Sequence, residues 1–172
     1  MLRLLTLPLL LFALTVAAGA QATRVDGIEI VDWGIFRNNR HAIVPDPDSA
    51  AGTRNIVGNI QLQQATTTVP ALVGMKFGFH FRVVGSPPGG IVTLKFVTRF
   101  PRQGITNPNS AKTFPSTEFY SGAVVGAISY RGYALDYDWE VETGPWTLEV
   151  WHEGRKLAEK TFIVTRLVSS AE

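Results

Sequence analysis

Few side chains in this sequence are of the types that do chemistry, and they are scattered. His41, His80 and His152 stand far apart, read respectively in a loop, on a strand face and in a hairpin turn. Their spacing matches no zinc motif, and exposed, unliganded histidine is the reading it favours. Asp136, Asp138, Glu140 and Glu142 recur at every second residue, which places them on one face if the segment is extended. Glycosidases use two carboxylates about 5 to 9 Å apart in a cleft. The row is therefore a candidate for glycan hydrolysis or lysis, set against a solvated strand face. Asp46 and Asp48 suggest calcium, but the later glycine and acid of an EF-hand loop are missing, so they read as turn formers. There is no G-x-S-x-G elbow, H-E-x-x-H, P-loop or dinucleotide fingerprint. No cofactor, metal site or catalytic residue is thereby implied.

Charge is more informative than motif. Between Asp48 and Glu118 there is no acid but seven bases, whereas between Gly132 and Gly154 there are six acids and no base. One account is structural: basic and acidic strands lie side by side, and each cross-strand pair contributes about 0.2 to 1 kcal/mol. The other is functional. Lys76, His80, Arg82, Lys95 and Arg99, with Arg102 from the loop that follows, form a basic face for an anionic envelope component. Nucleic acid is a poor partner, because base-stacking aromatics are not interleaved with these bases. A second candidate surface is aromatic, with Tyr133 and Trp151 as platforms for a sugar ring or a protein partner, while Trp146 reads as core.

These residues must be held by strands. Gly144 to Val164 reads as a complete hairpin in which Trp146, Leu148 and Val150 alternate with Thr147, Glu149 and Trp151. His152 to Arg155 is its turn, and the alternation slips by one near Ala158, predicting a bulge. Phe77, Phe79, Phe81 and Val83 give the cleanest alternation in the chain. Ile91 to Phe100 follows after GSPPGG, and the two are expected to pair as a hairpin with a basic solvent face. Val25 to Phe36 is a strand kinked at Gly34, and Ile56 to Pro70 and Phe119 to Tyr130 add more. Residues 37–54 and 101–117 read as long loops, the second without apolar periodicity. Seven or eight strands with Gly and Pro turns, and no convincing amphipathic helix, predict an all-β, antiparallel immunoglobulin-like β-sandwich.

The first twenty residues are expected to lie outside that fold. Arg3, the apolar run from Leu4 to Val16 and Ala18-Gly19-Ala20 have the order of a cleaved signal peptide, with a mature start at Gln21. Removing 20 of the 172 residues leaves 152, enough for a single domain, and takes away one base, so the net charge falls from +2 to +1. No later run approaches the roughly 20 apolar residues of a membrane span. With no cysteine, disulfides, thiolate metal sites and a cysteine nucleophile are excluded. Stability must then come from an apolar core, and a disulfide-free exported domain fits a bacterial periplasm or secreted pool.

Three stretches carry a family resemblance: EIVDWGIFR at 29–37, FVTRFPRQGITNP at 96–108 and SYRGYALDYDWEVETGPWTLEVWHEGRKLAEKTFIV at 129–164. The chain resembles a family of short exported bacterial proteins known only as a domain of unknown function. The resemblance implies an export signal and a β-rich domain, and brings no catalytic residues. Taken together, the sequence favours a non-enzymatic binding or accessory module of the envelope. An envelope glycan hydrolase or lyase using the carboxylate row, and a self-associating structural module pairing through an edge strand, are the alternatives.

Overall fold

The computed structural model describes residues 22–166, so the expected signal peptide at 1–20 lies outside the described residues. These form eleven strands: β1 (Arg24–Pro45), β2 (Thr53–Gln64), β3 (Thr68–Pro70), β4 (Lys76–Ser86), β5 (Ile91–Arg99), β6 (Ile105–Asn107), β7 (Lys112–Phe114), β8 (Ser116–Val124), β9 (Ile128–Ala134), β10 (Gly144–His152) and β11 (Arg155–Thr165). A single 3-10 turn, Asp138–Glu140, separates β9 from β10. One sheet runs β2-β1-β4-β9 and the other β3-β11-β10-β5-β8, with β6 and β7 as a small separate pair. Every pairing between strands is antiparallel except that of β3 with β11. The antiparallel sandwich expected from the alternation is the fold that forms.

Its core is where the period-two pattern is strongest. Phe77, Phe79, Phe81 and Val83 from one sheet are all fully buried, as are Leu94, Trp146, Leu148, Val150 and Phe162 from the other. Phe77 meets Trp146 edge to face at 5.9 Å and Phe162 at 5.1 Å, the arrangement that aromatic quadrupoles favour. In the β10–β11 hairpin the register slips between Val150 and Trp151, opposite Ala158 and Lys156. Glu153 and Gly154 take φ of 48° and 76°, as a two-residue turn with both central φ positive demands.

Three expectations are corrected. First, β4 and β5 do not pair: they belong to opposite sheets, and Phe81 faces Phe96 across the interior at 5.9 Å between ring centroids. Both strands carry a mainly apolar inward face, and that pattern is satisfied as well by facing across a sandwich as by lying side by side. Second, residues 37–45 are the distal half of β1 and 53–54 begin β2, so the expected 37–54 loop shrinks to a short turn. Third, the 101–117 segment contains the β6–β7 hairpin, anchored by buried Ile105 and Phe114. The β6–β7 pair, the division of 56–70 between β2 and β3, and the division of the expected 119–130 strand between β8 and β9 make eleven strands where seven or eight were expected.

The extra length of β1 positions the site described next. Its first half pairs with β4 as far as Ile35↔Phe77, and only β2 accompanies it beyond. At Gly34, φ is 154° and a side chain would run into the Gln64 carbonyl, so glycine is required where the strand changes course. Past this point 36–45 and 53–62 form a two-stranded arm that leaves the sheet.

Candidate functional site

The arm docks on the open side of the sandwich, where β9 edges one sheet and β8 edges the other. Phe36 packs edge-on against His80 and Tyr130, with 5.0 Å between centroids in each case. Lys76 Nζ donates to the Asn38 carbonyl oxygen at 3.1 Å. Arg40 reaches Asp136 Oδ1 at 3.0 Å, and Asn55 Nδ2 donates to Asp136 Oδ2 at 2.6 Å. At the arm's tip, the Ala50 carbonyl accepts from Asn107 Nδ2 at 2.8 Å, tying it to the β6–β7 hairpin. Between arm and sheet edges lies a cavity of about 300 Å³. It is at the small end of ligand-pocket volumes and is walled by Phe81, Phe96, Phe119, Tyr130 and Tyr133.

Arg131 is the unusual member of that lining. It occupies the inward position of β9 opposite Phe79, between Ser129 and Tyr133, and is 4% exposed. Its Nη1 donates to the Gly132 carbonyl at 2.8 Å and its Nη2 to Thr98 Oγ1. The guanidinium lies over the rings of Phe96 and Phe119, at 5.7 and 5.3 Å from their centroids. Among the described residues no carboxylate forms an ion pair with it, and its Nε is buried without an acceptor. Burial pulls its pKa down to about 10, against the weak opposing influence of Tyr130 and Tyr133. A buried guanidinium with neutral partners alone is costly.

The nearby acids are already committed. Glu140, 3% exposed, accepts from the Tyr133 hydroxyl at 2.7 Å and from the Asp136 and Tyr137 backbone N–H groups at 2.8 and 3.1 Å. Burial raises its pKa more than these hydrogen bonds lower it. Burial likewise lifts the Tyr133 and Tyr130 phenols, with Glu140 adding to the effect at Tyr133. Asp136 has both oxygens engaged by the arm. The carboxylates at 136–142 thus close a turn and latch the arm. They do not form the single-faced row expected of an extended strand, because Asp138–Glu140 turns as a 3-10 segment and Glu142 bonds to Gln103 at 3.1 Å.

A family model for a domain of unknown function, DUF3859, matches residues 24–164. The chain belongs to the DUF3859 family. Its architecture is similar to that of an immunoglobulin-like protein from Pseudomonas aeruginosa, with a TM-score of 0.58 and 28% identity over 86% of this chain and 100% of that one. The sandwich is immunoglobulin-like, as the strand pattern led one to expect. No functionally curated protein matches the chain.

The DUF3859 domain does not gather the basic residues singled out in the sequence. Lys76, His80 and Arg82 lie on β4 and Lys95 and Arg99 on β5, strands that belong to opposite sheets. Most meet an acid at once. His80 Nδ1 is 2.8 Å from Asp32, Arg82 2.6 Å from Glu29, Lys95 3.4 Å from Glu118 and Arg99 2.7 Å from Glu149. Arg102 stands exposed beyond Pro101, in the segment that follows β5. Of these pairs only Arg99–Glu149 joins the base-only run to the acid-only run; Asp32, Glu29 and Glu118 come from outside the acid-only run. Of the two aromatic candidates, Tyr133 packs inside against Trp146 and Phe100. Trp151 donates to Glu149 at 2.7 Å, and the Lys95 and Lys156 ammonium groups sit 5.3 and 5.9 Å from its ring centroid. Its ring is therefore partly covered. Among the described residues no cluster of three or more His, Cys, Asp or Glu is arranged to hold a metal, and no helix is long and apolar enough to cross a membrane.

Arg131 escaped notice in the sequence. The only signal available was a lone base at an inward position, between Ser129 and Tyr133.

Proposed function

We propose that the DUF3859 domain is a non-enzymatic binding module that holds a small anion on Arg131, in the cleft between the β8–β9 edge and the β1–β2 arm. One observation carries the reading: a guanidinium buried to 4% exposure, with no acidic partner among the described residues, lines a 300 Å³ cavity. A bound anion supplies the charge that the protein withholds, and hydrogen bonds between ionised partners are about twice as strong as neutral ones. Of the carboxylates lining the cavity, Asp136 and Glu140 have their oxygens occupied by protein donors and Asp46 and Glu118 pair with Arg54 and Lys95, which favours binding over acid-base chemistry. Export to the bacterial envelope belongs to the same proposal, on the strength of Leu4 to Val16 and Ala18-Gly19-Ala20.

The test is titration of the protein and of Arg131→Met with acetate, benzoate, sulfate and inorganic phosphate, followed by amide chemical shifts in β8 and β9. At least one anion shifts the wild-type β8–β9 amides and leaves the variant's unmoved. Shifts of equal size in both proteins, or none in either, refute the placement.

A further inference from the structure

Resting on that reading, we infer that the anion is the carboxylate of a singly charged aromatic acid, bound carboxylate inward on Arg131 with its ring among the cleft's aromatic walls.

The charge of the ligand follows from the cavity's own balance. Four cations line it, Arg40, Arg54, Lys76 and Arg131, and so do four carboxylates, Asp46, Glu118, Asp136 and Glu140. Arg40 pairs with Asp136, Arg54 with Asp46 at 3.3 Å, and Glu118 with Lys95, while Lys76 donates to the Asn38 carbonyl. Among the described residues that line the cavity, only Arg131 is a deeply buried cation without a carboxylate partner. A phosphate dianion needs a second cation and more donors than one side chain offers. A carboxylate needs one. A guanidinium has five N–H groups, of which two are used here, so enough remain for the paired hydrogen bonds that carboxylates accept from arginine.

The body of the ligand follows from the walls. The guanidinium lies over Phe96 and Phe119, whose rings are tilted at 32° with centroids 5.3 Å apart, while Phe81, Tyr130 and Tyr133 also line the cavity. Such walls offer ring edges and faces to another planar ring at little entropic cost. A cavity of about 300 Å³ suits a molecule of one ring and a short acid. It also offers an acceptor, since Asn38 Oδ1 is buried without a donor in a residue 8% exposed. The same chemistry is presented by a free aromatic acid and by the C-terminus of a peptide ending in phenylalanine.

The experiment is a calorimetric titration of the protein with benzoate and phenylacetate, against acetate and inorganic phosphate. The aromatic acids are expected to bind at least about tenfold more tightly than acetate or phosphate, and Arg131→Met to lose that binding by at least about tenfold. Ser121→Phe fills the cavity from β8 with the arginine retained and is expected to abolish binding as well. Should Arg131→Met fail to fold, Ser121→Phe and transfer of magnetisation from benzoate ring protons to Phe119 still decide the matter. A peptide ending in phenylalanine, compared with its C-terminal amide, identifies the source. Displacement of phenylacetate by the free-acid peptide assigns a chain terminus, and no displacement by either assigns a free acid. If acetate or phosphate binds as tightly as benzoate and Arg131→Met abolishes it, anion binding stands and the aromatic acid is refuted. If no anion distinguishes wild type from Arg131→Met, both fall together.

Discussion

Two strand arginines, one half-exposed and one buried, meet opposite treatment in this molecule. On the outer face of the β10–β5 pairing, Arg99 holds Glu149 through two hydrogen bonds of 2.7 and 3.3 Å, with Lys156 and the Trp151 indole completing the carboxylate's shell. Glu149 is 2% exposed, yet its pKa falls. Burial would raise it, but the hydrogen bonds of Arg99 and Trp151 and the charges of Arg99 and Lys156 outweigh that. In the cleft, Arg131 and Glu140 are each buried among neutral partners, and burial dominates both: the arginine's pKa goes down and the carboxyl's goes up. The first region is compensated and spends its charges on structure. The second leaves a charge uncompensated beside a cavity, and perturbed groups of that kind mark functional sites.

The contrast predicts the largest effect where compensation is complete. Glu149→Leu leaves Arg99, Lys156 and the Trp151 N–H without their acceptor. Breaking a buried pair costs about 3 to 5 kcal/mol, and because the Arg99 side chain is 54% exposed and can turn to water, a loss of about 2 kcal/mol is expected. Arg131→Met strands no charged partner. It removes two hydrogen bonds but also an uncompensated burial, and the ligand-free protein is expected to stay within about 1 kcal/mol of wild type. Urea unfolding of the two variants measures both. A larger loss for Arg131→Met than for Glu149→Leu would break the contrast and make Arg131 a structural residue.

The two carboxylates sharpen the same contrast through pH. The folded pKa of Glu149 is depressed, so its stabilisation is present above the ordinary value of 4.5 and is lost as pH falls through the folded value. The folded pKa of Glu140 is raised, so its contribution is intact below 4.5 and is lost as pH rises through the folded value. Glu149→Gln is accordingly expected to flatten the acid side of a plot of unfolding free energy against pH, below about 4.5. Glu140→Gln flattens the descent above it. Identical slopes in wild type and either variant would refute the corresponding shift.

How far these regions could be read from the sequence differs for a physical reason. The β10–β11 hairpin was legible in its turn, its faces and its bulge, because Trp146, Leu148 and Val150 strictly alternate and only one register buries them. The aromatic face of β4 was equally plain. Its partner was not, since an apolar face records that a strand is covered without recording what covers it. The distal half of β1 reads as a loop because Arg37, Asn38, Asn39 and Arg40 have little intrinsic preference for a strand. They become strand by pairing with β2 and docking on the β9 edge. Arg131 follows suit: periodicity separates inward from outward positions, and a base at an inward position shows its meaning only when its neighbours prove to lack an acid.

The smallest effect is expected where the sequence first suggested function. Arg82 and Glu29 stand 2.6 Å apart on neighbouring strands, with side chains 37% and 53% exposed. Contact that close still contributes only about 0.2 to 1 kcal/mol at a wet surface, because water screens the attraction and both side chains lose rotamer freedom. Arg82→Ala is therefore expected to lower unfolding free energy by at most about 1 kcal/mol, and the difference from wild type to shrink further in 1 M salt, where the screening length is about 3 Å. The same variant leaves anion binding in the cleft untouched, since its side chain pairs on the outer face of the four-stranded sheet. A loss of benzoate affinity in Arg82→Ala would move the site to that face and restore the basic strand as its carrier.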